Sequence, residues 1–317
     1  MILAGLLLLI AVVLCLAMPR VLTPLTLRVP PTAALVAWLA TLAAVPMFVG
    51  AAVVVVAVWP HHAPGETVLE TTARCLAVVV HSLTPWLGEL VASLAVLIAA
   101  AATIRIVVVG QRYRRSAARV RAYHHDVMSV VARTGDEPDS VMWLDYPVPL
   151  AYSVDGDPGF IVATEGLRSL SAVEQDAVLA HERAHLRGRH HRLLRMCTVL
   201  ATALPWVPLF AAAAPAVATL VELAADEAGA AATSRSAMLT ALRSVAEKGS
   251  SASARATSAA LADRDITLRL ANLDTLCPVP HRPPLYAVAL SFTVLLPAAI
   301  GVVGLAVASG AACLLLI

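Results

Sequence analysis

Polar positions are scarce along this chain, and their spacing divides it. Residues 1–18 carry no charge, residues 32–59 are uncharged throughout, and residues 85–109 hold only Glu89 and Arg105, both near the ends. A fourth apolar run, 285–317, has no charged residue. Each is long enough to cross the roughly 30 Å hydrocarbon layer as a helix, which takes about 20 apolar residues. Between the third and fourth runs the pattern changes. Residues 141–167 read as short strands, with "LAYSV" and "GFIVAT" separated by the turn residues "DGDPG". From Ser171 onward the spacing becomes helical, and "SAVE" forms a capping box in which Ser171 and Glu174 bond each other's backbone.

The expected architecture is a mainly α membrane protein: four transmembrane helices with an inserted α+β domain. Its parts are three spans in 1–110, the inserted domain in 111–284 and the last span in 285–317. Composition agrees, with 59% hydrophobic and 14% charged residues and a mean hydropathy of +0.80, far from a soluble domain. Residues 1–18 lack the positive n-region of a signal peptide, so a true span is expected. Arginines set the orientation. Arg20 and Arg28 follow the first run, and "QRYRRSAARVR" after the third holds five Arg between 112 and 121. The positive-inside rule places both on the cytoplasmic side of a bacterial inner membrane, with the two termini outside.

The net charge of +2 gives no reason to expect direct nucleic-acid binding. The five cysteines (15, 75, 197, 277 and 313) have no CxxC spacing and suggest neither a disulfide framework nor a cysteine metal site.

The chemistry is concentrated in "HERAHLRGRHH", residues 181–191. His181 and His185 are four apart on the expected helix, so both imidazoles leave one face and can reach one ion. Glu182 points to the side, where it can act as a general base. The stretch also fits the longer pattern H-E-x-x-H-x-x-G-x-x-H, which would make His191 the third ligand. That would require the helix to stop at Gly188. A lone glycine does not end a helix, and "RHHRLLRM" holds no further turn residue, so the helix is expected to continue. His190, His191 and the neighbouring arginines would then be a basic helix end. Glu222, with Asp226 one turn later in "VELAADEAG", is the competing third ligand. A carboxylate ligand plus an Asp to hold the Nδ1–H of a ligating His makes a His₂Glu site. The residues favour Glu222 over His191 without excluding the latter.

"HERAH" followed by "ELAAD", after three spans and before a last one, resembles the BlaR/MecR family of transmembrane zinc peptidases, which are gluzincins. The resemblance extends over roughly residues 1–310. It implies that the inserted cytoplasmic α+β domain is a zincin-like metalloprotease, with Zn²⁺ held by His181, His185 and Glu222, Glu182 as catalytic base and Asp226 behind the ligands. It also implies cleavage of a cytoplasmic winged-helix repressor of the BlaI/MecI type in a beta-lactam response. Two departures stand out: penicillin-sensing members carry an extracellular domain after the last span, whereas here no sensor is expected beyond Ile317, and "RGRHH" replaces a more acidic helix ending. The alternatives are a quality-control or processing protease, like the heat-shock and CAAX-processing zinc proteases that share H-E-x-x-H and a distal Glu, and a receptor with structural zinc. The intact Glu182 argues against the last. Expected partners are the bilayer, the protein substrate and, as an open alternative, a second copy of the chain.

Three further expectations concern the rest of the domain. Residues 197–221 are apolar yet must return Glu222 to the side of His181, so a re-entrant segment is expected. Residues 245–260 read as a loop, and 263–273 as a short helix. Arg264, Arg269 and Tyr152 are unranked candidates for steadying an oxyanion.

Overall fold

The structure is a computed structural model that describes residues 2–26, 29–58, 94, 97–122, 133–134, 141–156, 158–252 and 259–275. It is mostly helical. Helices α1 (Ile2–Leu25) and α2 (Pro31–Val58) form an apolar hairpin. Helix α1 runs through Pro19 and Arg20; Arg20 donates back to the Leu16 carbonyl at 2.7 Å, so the first polar residues lie inside the helix instead of after it. Helix α3 covers residues 97–122 and joins the end of the third apolar run to the basic stretch without a break.

Among the described residues, three helices are long and apolar enough to cross a membrane: α1, α2 and α6 (Pro208–Ala232). The third differs from the sequence expectation. Residues 85–93 and the fourth run, 285–317, lie outside the described residues. The stretch 197–221 is part of a helical hairpin made by α5 (His190–Ala203) and α6. Val207 leads into Pro208, which occupies the first turn of α6, where its missing N–H costs nothing. Glu222 lies fourteen residues into α6, so the limb from the hairpin tip to the site is roughly 21 Å at 1.5 Å per residue. That is shorter than a full crossing.

The hairpin packs on the half of α1 and α2 nearest their turn. Leu22, Trp38 and Leu42 share one buried cluster with Cys197, Leu209, Phe210, Val217 and Leu220. The other half of the α1–α2 pair closes on itself through Leu7, Ala11, Ala44 and Phe48.

The strands form one sheet in the order β1 (Arg133–Thr134), β2 (Val141–Leu144), β4 (Phe160–Thr164), β3 (Ala151–Val154). β3 and β4 pair antiparallel, with Ala151 opposite Ala163 and Val154 opposite Phe160, while β2 runs parallel to β4. β3 is therefore an edge strand among the described residues. The buried sheet face (Val141, Trp143, Ile161, Ala163) meets Val178 and Leu179 of α4 (Ala172–Arg187).

Helices α7 (Arg235–Ala252) and α8 (Ala259–Thr275) complete the described fold. α7 runs through residues 245–252, the first half of the expected loop; Ala and Ser there do not oppose a helix already under way.

Candidate metal centre

Helix α4 begins as its sequence dictates. The Ser171 hydroxyl accepts from the Glu174 backbone, and the Glu174 carboxylate accepts the Ser171 N–H at 2.8 Å. The helix then buries His181, Glu182 and His185. Across from it, α6 crosses very close. A Cβ on Gly229 would lie 2.9 Å from the Ala177 carbonyl oxygen and 2.8 Å from the Met238 sulfur. Only glycine permits that approach, and it brings the Glu222 face of α6 against the His face of α4.

The result is one cluster of His181, His185 and Glu222. The two histidine Nε2 atoms are 3.1 Å apart. Nε2 of His181 lies 3.6 Å from Glu222 Oε2, and Nε2 of His185 lies 3.6 Å from Glu222 Oε1. Donor atoms on a tetrahedral ion with bonds of about 2.0–2.1 Å sit about 3.3 Å apart. The triangle has that size, and two imidazoles with one carboxylate are a donor set suited to zinc. The residues fit the ion.

Behind the triangle, Asp226 is fully buried. Its Oδ1 lies 2.9 Å from Nδ1 of His181, though the ring N–H is angled off the oxygen and makes no well-aligned hydrogen bond. Charge attraction at that distance does not need alignment. Arg269 of α8 donates to both Asp226 oxygens at 2.7 Å and reaches Glu222 Oε2 at 3.2 Å. Burial pulls His181 down in pKa, but Asp226 and Glu222 outweigh it and hold the ring at about 9. For His185, burial prevails and takes it to about 4. At neutral pH His181 is therefore the protonated ring of the pair and His185 the neutral one.

Two expectations fail at the end of α4. The helix does stop at Gly188, and Arg189 takes the left-handed conformation, φ 49°, before α5 starts. The turn that the longer pattern demands is thus present. It still does not deliver His191 to the cluster: His191 Nε2 instead contacts the Ser153 hydroxyl on β3 at 3.1 Å. His190 is no solvated helix end either. It is buried, and its Nδ1 lies 3.0 Å from Nδ1 of His185. Gly188 makes this possible, because a side chain there would collide with the His190 ring. Were His185 to hold a metal through Nε2, its Nδ1–H would be left to donate to His190, and a histidine would take the outer place more often filled by a carboxylate or carbonyl. The five-residue spacing from His185 gave no helical-face signal for this contact.

Glu182 lines the same cavity, of about 310 Å³, with Tyr152, Ser153 and Arg269. Burial raises its pKa; the positive His181 and hydrogen bonding from Ser153 pull the other way without cancelling the rise. Of the three oxyanion candidates, Arg269 is committed to the two carboxylates, Tyr152 faces the cavity, and the Arg264 side chain lies outside the described residues.

A buried H-E-x-x-H helix closed by a glutamate from a second helix narrows the chain to the metallopeptidases. Residues 114–275 match the description of peptidase family M48. The chain belongs to that family. This M48 protein is accordingly a metallopeptidase, a peptide-bond hydrolase of a family that typically depends on a metal. No curated protein and no solved structure matches it significantly. The BlaR/MecR likeness of its motifs thus has no counterpart in the family match, which is to M48.

Proposed function

We propose that this M48 protein is a zinc-dependent endopeptidase set in the bacterial inner membrane, with its active site on the cytoplasmic side. The observation that supports it best is the triangle of His181, His185 and Glu222, with 3.1 Å and 3.6 Å sides, beside a buried Glu182. Those three residues would hold zinc, which supplies Lewis-acid activation of a water and of the scissile carbonyl. Glu182 accepts a proton from the attacking water and passes it to the leaving amine. Its raised pKa makes it a stronger base than an ordinary glutamate. Asp226 and Arg269 hold the ligands in place. The substrate lies as an added strand along β3, whose Ala151, Tyr152 and Ser153 form one wall of the cavity. The orientation rests on the five arginines at the end of α3.

For the substrate, the motif resemblance supports a winged-helix repressor of the BlaI/MecI type. A second reading, cleavage of damaged membrane proteins, is favoured by the site's position on the helix that packs among α1 and α2. Co-expression of the wild type or Glu182→Ala with a candidate repressor and with a misfolded membrane protein separates them. Repressor fragments made only by the wild type support the first reading, and fragments of the membrane protein alone support the second. Identical products from both enzymes refute peptidase activity through Glu182.

A further inference from the structure

The metal cavity shares Tyr152, Ser153 and His191 with a second cavity of about 920 Å³. This larger space lies between the last turns of α3, the start of α5 and the edge strand β3 as it runs into the turn at Asp155 and Gly156. Its charge is lopsided. Arg114 and Arg121 enter from α3, and Arg192 and Arg195 from α5. The acidic lining residue is Asp155, which is already engaged by Arg195 at 3.2 Å and Arg192 at 3.7 Å. Arg114 and Arg121 are exposed, lie two helical turns apart on one face, and have no acidic partner among the described residues. Four guanidinium groups thus face a single carboxylate.

Position gives this charge its meaning. A chain added to β3 at the metal and continued past Val154 passes directly into the cavity, with alternate side chains turned toward its walls. We propose that this basic cavity is a substrate groove that selects peptides carrying acidic side chains beside the cleaved bond. The inference rests on the endopeptidase reading and specifies its substrate class. An anionic lipid headgroup shares the same chemistry, but it has no reason to lie along a strand edge that continues to the metal.

The test uses the full chain, zinc-loaded, in nanodiscs of neutral lipid. Quenched peptides share a varied central segment and carry a flank of Glu, Gln or Lys on either side. The Glu-flanked set should be cleaved with kcat/KM roughly tenfold above the Gln set, the scale expected of two surface ion pairs. The preference should shrink in about 1 M salt. The charge swap Arg114→Glu/Arg121→Glu should invert it, so that Lys-flanked peptides become the better substrates; an inversion also shows that the variant is folded. Equal cleavage of all three sets overturns the inference and leaves the endopeptidase reading intact. A preference that vanishes when phosphatidylglycerol replaces the neutral lipid assigns the groove to headgroups and overturns it too. No cleavage of any peptide by the zinc-loaded wild type overturns the endopeptidase reading itself.

Discussion

Arg269 on α8 holds Asp226 on α6 by two hydrogen bonds of 2.7 Å, across 43 residues of chain. The same guanidinium reaches Glu222 at 3.2 Å, so one side chain fixes a proposed metal ligand and the carboxylate behind another. Arg269→Ala strands the fully buried Asp226 without its main partner. A broken buried pair typically costs 3–5 kcal/mol, and loss of an outer partner lowers metal affinity roughly 10–100-fold. Thermal unfolding in detergent and zinc competition titrations should show both. Lysine should not rescue, because it cannot grip both oxygens at once.

Glu222→Ala and His191→Ala separate the two zinc patterns. The first should weaken zinc binding beyond the roughly 10–100-fold of an outer-partner loss; the second should leave stoichiometric zinc in place. Metal content of the purified variants decides it, and normal zinc in Glu222→Ala would sink the proposed ligand set.

In the proposed site, zinc and a proton compete for His181. Its ring is held protonated up to about 9, whereas His185, at about 4, is already neutral at pH 7. Zinc binding near pH 7 should therefore release about one proton, read as the dependence of calorimetric enthalpy on buffer ionisation heat. Apparent affinity should rise about tenfold per pH unit from pH 5 and level off above pH 9. A proton count near zero at pH 7 would contradict the assignment.

Gly188 and Arg189 can be tested at the turn they form. Gly188→Ala pushes the His190 ring off His185 and should lower zinc affinity about as much as His190→Ala, by roughly 10–100-fold. Arg189→Gly should do the reverse for stability. It relieves a left-handed residue at φ 49° and should stabilise by about 1 kcal/mol, seen as a higher melting temperature.

Activity should fall as the medium is acidified. Glu182 must be ionised to take a proton, and burial lifts its pKa above that of an exposed glutamate. The acid limb of kcat/KM should accordingly sit above pH 4.5, and Glu182→Gln should abolish cleavage across the whole profile.

Most of the candidate site was legible in the sequence because its signals are local. Helical spacing pairs His181 with His185 and Glu222 with Asp226, and the Ser171–Glu174 cap is written in four residues. What it concealed depends on tertiary contact. An arginine in the left-handed region carries no mark in the sequence, so the stop at Gly188 looked like a continuing helix. The contact from His190 to His185 exists only because that stop folds the chain back. Arg269 was one of three unranked candidates until α8 was placed against α6. The end of the apolar run at residue 221 marked a change of polarity, not the end of a helix, because α6 continues unbroken to Ala232.

That continuity means anchor and enzyme cannot be parted. Glu222 stands on the helix whose opening turns are packed among α1 and α2, so a cut that removes α6 together with the apolar hairpin also removes the proposed third ligand. A fragment of this peptidase without α6 would keep Glu182 and both histidines, and would lack the carboxylate proposed to complete the site.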